Sequence, residues 1–249
     1  MATVKIGVCG IPRSLKTLEK TLDVVEVQET FYHPKPNKYV EWRRKAPHLE
    51  FTVKAWFLIT HGYNKMLARK SKLKEDLPFN QREFGGLQLS EANLWALEKV
   101  FLSAKNLGSQ IILFQTPASL KPNKQLLEEA SALFQSVRKE GYIPVWEPRG
   151  YSDEERSILN RFSRENQIPL VVDPLRRKPF PPMLGIEYFR LHGLGGREVN
   201  YRYKYTEEDL LKLIQLMREY RDDISVYVLF NNIHMYNDAL HLKELLGKH

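Results

Sequence analysis

Ile111-Ile112-Leu113-Phe114-Gln115 is a short, unbroken apolar run that ends on a hydrogen-bonding side chain. Before it, residues 90–107 place apolar side chains at helical spacing behind Ser90. After it, residues 123–140 do the same behind Asn123. A run of this kind between two helices is the pattern of a strand buried on both faces of a parallel sheet. Residues 4–9, 24–28, 51–54, 143–147, 170–173, 188–192 and 226–232 are further apolar runs that close in polar side chains. Eight runs, nearly all separated by helix-like stretches, predict an α/β fold, a single (β/α)8 barrel of the triosephosphate isomerase type. In that fold the chemistry sits at the carboxyl ends of the strands, where the polar residues fall here.

The 249 residues match the length of one such barrel, and no Gly/Ser/Pro-rich linker separates two halves, so one domain over residues 1–249 is expected. Hydrophobic residues make up 43% and charged residues 27%, an ordinary globular balance without a run long enough to span a bilayer. No membrane partner is therefore expected. The opening MATVKIGVCG enters a strand directly, so no signal peptide is expected. Cys9 is the single cysteine, which excludes an internal disulfide and fits a reducing, cytoplasmic setting. No Cys/His spacing suits structural zinc, and no organic-cofactor motif is present. The net charge of +8 favours anionic partners, but the basic clusters at residues 43–45, 65–74 and 176–178 read first as solvated faces.

Further helices are expected at residues 14–22, 37–46, 152–166, 206–221 and 235–246. Residues 56–92, with Pro78, Gly85 and Gly86, read as an elaborated loop after the third strand. Side chains alternate along a strand, so each run sorts into two faces. Glu26 and Gln28 oppose Val25 and Val27; Thr52 and Lys54 oppose Phe51 and Val53; Tyr188, Arg190 and His192 oppose Phe189 and Leu191. With the apolar faces against helices, the polar faces look into the barrel. Glu147 and Arg149 share a face, Gln115 closes its strand, and Trp146 and Phe230 read as helix-facing core.

A buried charge without a partner is expensive, so Glu26, Lys54, Glu147, Arg149, Asp173 and Arg190 must pair or meet a ligand. Glu26–Lys54 and Asp173–Arg190 are the internal pairs that strand order suggests. His61 and His192 lie just beyond strand ends and suit general acid–base work near neutral pH. The turn His192-Gly193-Leu194-Gly195-Gly196-Arg197 offers glycine N–H groups and Arg197 to an anion, or is a plain flexible turn. Asn231 and Asn232 end the last strand and suit ligand binding or loop anchoring.

These strand ends, in order, resemble the YecE-like family, domain of unknown function 72. Val25-Glu26-Val27-Gln28 with Thr30-Phe31-Tyr32 is similar to its V-E-x-N-x-T-F-Y block, and Phe51-Thr52-Val53-Lys54 with Ile59-Thr60-His61 to its F-x-V-K and I-T-H elements. Gln115-Thr116-Pro117 resembles Q-x-P, Glu147-Pro148-Arg149 resembles E-x-R, and Tyr188 to Gly193 resembles Y-x-R-x-H-G. Tyr205-Thr206 and Phe230-Asn231-Asn232 complete the series. Two positions depart from the pattern. Gly7-Val8-Cys9-Gly10 lacks the family's aromatic residue, and Gln28 stands where asparagine is usual. The resemblance implies the barrel and no established reaction.

The reading that follows is an enzyme acting on a small anionic substrate, phosphorylated or carboxylate. Lys54, His61, Glu147, Asp173 and His192 are its catalytic candidates. Glu26, Gln28, Gln115, Arg149, Arg190, Gly193, Arg197, Tyr205, Asn231 and Asn232 are its binding candidates. No metal is assigned: Glu26, Glu147, Asp173, His61 and His192 supply donors for a divalent ion, but Lys54, Arg149 and Arg190 would repel it. A second reading is a nucleic-acid-binding or processing protein, resting on Tyr201, Tyr203 and Tyr205 among Arg202 and Lys204. A third is a non-catalytic ligand sensor or adaptor.

Overall fold

The computed structural model describes residues 2–73, 77–196 and 198–248. It opens with β1 (Thr3–Cys9), α1 (Leu15–Thr21), β2 (Val24–Val27), α2 (Glu29–Tyr32), α3 (Pro36–Lys45) and β3 (Glu50–Lys54). There follow α4 (Phe57–Thr60), α5 (Lys65–Ser71), α6 (Glu91–Leu107), β4 (Ile111–Gln115), α7 (Lys124–Lys139) and β5 (Ile143–Glu147). The last elements are α8 (Asp153–Asn166), β6 (Ile186–Leu191), α9 (Glu207–Met217), β7 (Ser225–Phe230) and α10 (Met235–Lys248). Parallel strands alternating with helices place the protein in the β/α class of triosephosphate isomerase type, with seven strands among the described residues instead of eight.

Residues 170–173 account for the difference. They are bridged at single residues, Leu170 and Val172, the second in parallel to Phe189 and sealed by the Arg190 N–H on the Val172 carbonyl at 3.1 Å. Pro169 and Pro174 bracket this run, and proline has no N–H to give a ladder and biases the residue before it. The Asp173 carboxylate then accepts the Leu175 N–H at 3.1 Å and turns the chain away.

The helices start where small polar residues can satisfy their first N–H groups. Ser14, Ser90, Asn123, Ser152 and Thr206 each accept a backbone N–H from the first turn, and Ser152–Glu155 and Thr206–Asp209 form full capping boxes. The described residues of the third strand's long connection include α4, α5 and a 3-10 turn at Gln81–Glu83. Trp95 gathers the rings of Trp56, Phe79 and Phe84 beneath it. Gly85 is required there, because a Cβ would meet Gly62 Cα at 2.4 Å and its φ is +100°.

The chain forms two compact units. One comprises residues 27–44 and 51–168, in which β3, β4 and β5 pair in parallel with Lys54 opposite Leu113 and Gln115 opposite Glu147. Trp146 packs against Phe134 of α7 and Phe162 of α8, as helix-facing core.

The other unit comprises residues 1–26, 45–50 and 169–249, with β2, β1, β7 and β6 paired in parallel in that order. The registers place Lys5, Tyr227 and Tyr188 in one layer of a common face and Gly7, Leu229 and Arg190 in the next. On that face Arg190 donates to both oxygens of Glu26, at 3.0 and 2.8 Å, and the Tyr188 hydroxyl donates at 3.0 Å. Glu26 and Arg190 have no solvent exposure. Strands β2 and β6 have β1 and β7 between them, a span of about 14 Å in a flat sheet. Their side chains meet because the sheet curves around this face. Below, the Lys5 ammonium and the Tyr227 hydroxyl both donate to Glu50.

Glu187 lies on the opposite face of β6, 1% exposed, where the alternation gave no reason to expect a charge. Burial pushes its carboxyl up to about 8, and the Tyr220 hydroxyl and Tyr188 amide only partly offset this.

Two outcomes follow for stability. Glu26→Ala strands a buried guanidinium and is expected to cost about 3–5 kcal/mol in urea denaturation; a loss under 1 kcal/mol would show the pair is not structurally important. The folded chain holds the Glu187 proton to about pH 8 while the unfolded chain releases it near 4.5. Glu187 therefore lowers stability as pH rises through that window, by at most roughly 1.4 kcal/mol per pH unit. Glu187→Gln removes that slope, which denaturation curves at pH 5 and pH 8 will reveal.

Candidate functional site

In the unit built on β3, β4 and β5, each strand end delivers one polar group. The Thr30 hydroxyl lies 2.7 Å from the Val27 carbonyl and 2.6 Å from the Lys54 carbonyl, fixing the backbone from which Lys54 projects. The Lys54 ammonium donates to Gln115 Oε1 at 2.9 Å and stands 4.1 Å from the centroid of Phe31. The edge of Phe31 meets His61, with ring centroids 5.1 Å apart. His61 closes α4, with Nδ1 2.8 Å from the Thr60 hydroxyl. From the end of β5, Glu147 accepts Arg149 Nε and Nη2, both at 3.0 Å. Burial lowers the His61 pKa to about 4, with Lys54 and Arg149 pushing the same way. The imidazole is thus neutral at physiological pH, inside a positive field. Gln28 is half-buried at the start of α2.

In the unit built on β6, β7, β1 and β2, Asp173 holds the turn that follows its bridge. It accepts the His192 N–H at 2.9 Å and the Leu175 N–H at 3.1 Å, and Arg176 Nε stands 3.8 Å away. His192 is 4% exposed, and its Nδ1 lies 3.2 Å from the Asn231 amide nitrogen. The glycine turn is tied down from several sides. Arg176 donates to the Gly193 and Gly195 carbonyls at 2.7 and 2.6 Å, and the Gly193 N–H donates to the Tyr205 hydroxyl at 2.7 Å. Only glycine fits at 193, where φ is +80° and a Cβ would strike the Asn200 carbonyl. The turn thus spends the Gly193 amide on Tyr205, and its carbonyls face a guanidinium. Asn232 anchors the loop through the Tyr203 carbonyl and Asp238, at 2.7 and 2.6 Å.

Several sequence candidates therefore stand in scaffolding contacts. Arg190 and Glu26 form the buried pair described above. Tyr205 is 2% exposed, and burial drives its hydroxyl pKa up. Arg197 lies outside the described residues. Cys9 is buried. Lys54, Gln115, His61, Arg149 and Glu147 are brought together in one unit, and Asp173, His192, Gly193 and Asn231 in the other. The sequence reading missed Phe31 as the ring between Lys54 and His61, and Arg176 as the residue that holds the glycine turn. Arg176 was legible only as part of a basic cluster. Among the described residues no three His, Cys, Asp or Glu side chains converge as a metal site would require, and no helix is long and apolar enough to cross a membrane.

The family model described as protein of unknown function DUF72 matches residues 9–249. Among solved structures, a DUF72 family protein from Enterococcus faecalis V583 gives a TM-score of 0.70 at 19% identity, covering 99% of this chain and 98% of its own. A DUF72 family protein from Thermotoga maritima MSB8 gives 0.64 at 21% identity, covering 98% and 99%. The 3-keto-D-glucoside 4-epimerase of E. coli gives 0.55 at 12% identity, covering 100% of both chains. These are likenesses of fold. No curated protein matches the sequence.

The electrostatics of His61 are open to direct measurement. Its folded pKa of about 4 lies below the ordinary 6.5, so the folded chain binds fewer protons between those values. Its contribution to stability is complete above 6.5 and is lost as pH falls toward 4. Imidazole titration by NMR is expected to place its midpoint near 4, and to move it upward in Lys54→Met. A midpoint at 6.5 in both proteins would contradict this account.

Proposed function

The chain belongs to the DUF72 family, and from that premise and the groups at its strand ends we propose that it is an enzyme acting on a small anionic substrate, phosphorylated or carboxylate. One observation carries this reading. Lys54, bonded to Gln115, stands over the Phe31 ring whose edge meets His61, and burial first, with Lys54 and Arg149 adding to it, keeps that imidazole neutral. A substrate anion beside them would gain charge-assisted hydrogen bonds in a site of low exposure. It would also cancel part of the field that depresses His61. The imidazole then becomes a stronger base once the substrate is bound, so that proton abstraction is tied to occupancy.

The residues divide by role. Lys54 and Arg149 bind and polarise the anion, and the Gln115 carboxamide orients Lys54. His61 takes the proton at Nε2 when its Nδ1–H donates to the Thr60 hydroxyl. Glu147 holds the Arg149 guanidinium in place. In the unit that carries β6 and β7, His192 is the second acid–base candidate, oriented by Asn231 and by Asp173 through its backbone. Arg190, Glu26, Tyr205 and Asn232 are scaffold in this reading. Among the structures sharing this fold is a sugar-converting epimerase, in keeping with a small-molecule substrate. The nucleic-acid reading loses support, since Tyr205 is buried and the Tyr203 hydroxyl is committed to Asp209 at 2.7 Å.

The test is calorimetric titration with inorganic phosphate and short carboxylates. Lys54→Met and Arg149→Met are each expected to weaken binding at least about tenfold, a change of roughly 1.4 kcal/mol, without unfolding the protein. Equal binding in wild type and both variants rejects the proposal. A tight ligand that is never turned over points to the sensor reading.

A further inference from the structure

We propose that Lys121, in the loop after β4, is a positioning residue: it holds the backbone beside Arg149 and so fixes where that guanidinium stands. What this contributes to anion binding rests on the small-anion reading, whereas the contact itself is testable without a ligand.

Residues 116–123 join β4 to α7, inside the compact unit that carries Lys54, His61 and Arg149. The loop reaches both cations of the site. At its start, Gln115 accepts the Lys54 N–H at 2.9 Å and donates to the Thr116 carbonyl at 3.2 Å. Thr116 then ties the loop to β5: its N–H donates to the Glu147 carbonyl at 3.0 Å, and its hydroxyl accepts the Trp146 indole N–H at 3.1 Å. Near its end, the Lys121 ammonium donates to the Gly150 carbonyl and stands 3.5 Å from Glu155.

Gly150 follows Arg149 directly and has no side chain by which to be anchored. Its φ is +66°, and a Cβ there would lie 2.5 Å from the Ala118 Cβ, so the two loops touch at this glycine. Lys121 takes its carbonyl across that contact. On the other side, Glu147 holds the Arg149 guanidinium at 3.0 Å. Arg149 is thus fixed at its head by Glu147 and at its root by Lys121.

An exposed lysine is ordinarily solvated, and ordering its side chain costs conformational entropy. Lys121 has two acceptors to offset that cost, and Glu155 is itself held, accepting the Ser152 N–H at 2.7 Å in the capping box that opens α8. Lys124 is the contrast: its ion-pair partner is Glu128, one turn along the same helix, at 3.8 Å. Lys121 instead joins loops 29 residues apart. Its side chain is 50% exposed, so a substitution leaves no cavity and tests position, not packing. The readout is His61, on which Arg149 acts together with burial and Lys54. A guanidinium released from its place weakens that field, and the imidazole midpoint rises.

The experiment is NMR titration of His61 in the full chain, with calorimetric titration of inorganic phosphate alongside and melting temperatures for every variant. Wild type and Lys121→Arg are expected to share a midpoint near 4, and Lys121→Met to raise it. Lys121→Gln, shorter and uncharged, is expected to match Lys121→Met and replaces it if that variant melts early. In an Arg149→Met background, Lys121→Met is expected to add no shift, because its effect runs through Arg149. Lys124→Met, which removes an equal charge nearby, is expected to leave the midpoint unchanged. Phosphate is expected to bind Lys121→Met at least about threefold more weakly than wild type. An unmoved midpoint in Lys121→Met and Lys121→Gln overturns the proposal. So does an equal shift in Lys124→Met or in the Arg149→Met background, or equal phosphate affinity in wild type and Lys121→Met. Absence of phosphate binding in wild type removes the small-anion reading, and the imidazole midpoints then decide the positioning role by themselves.

Discussion

A carboxylate and a guanidinium without solvent exposure, Glu26 on β2 and Arg190 on β6, meet inside the unit that contains them and constrain how its strands pair. Each alone would be prohibitively costly to bury, and each is satisfied only because β1 and β7 curve enough for the two to meet. Tyr188 supplies a further bond to Glu26 and stacks on Tyr227, which bonds Glu50 in the layer below. The interior of this unit is thus a ladder of polar contacts, and a change in strand register would break all of them. His192 and Asn231 come at the top of that ladder, where the strands end and loops take over.

The strand ends use their charges in two ways. Glu26 neutralises Arg190, Glu147 holds Arg149, and Asp173 receives backbone N–H groups at a turn. These contacts make rigid scaffolding out of residues that look, by type, like catalysts. The neutral His61 is of a different kind, because its protonation state depends on Lys54 and Arg149 as well as on burial. A group whose pKa is set partly by neighbouring charge responds to a ligand that changes the local field, which a group set by burial alone does not.

The relatives sharpen this distinction. DUF72 proteins from Enterococcus faecalis and Thermotoga maritima keep the fold at 19% and 21% identity. A β/α fold needs apolar strands, capped helices and tight turns, and many sequences meet those needs. Shared fold therefore says little about the reaction, which depends on a few side chains and on how loops such as that of Arg149 present them.

The alternation of strands and helices, the capping serines and threonines, the helix-facing Trp146 and the polar face of β6 were all legible in the sequence. Each depends on residues within a few positions of one another, where periodicity and propensity act directly. The elaborated connection after β3 was legible too, although not its short helices. The sequence by itself determined the fold class, the family and which residues reach strand ends. Only the tertiary structure decided that Arg190 is bonded to Glu26, 164 residues away, that Glu187 is buried on the other face, and that residues 170–173 are bridged at isolated residues instead of forming a strand. It alone placed Lys121 on the Gly150 carbonyl. Pairing and exposure are set by segments distant in the chain, and no local pattern encodes which distant partner a side chain will meet.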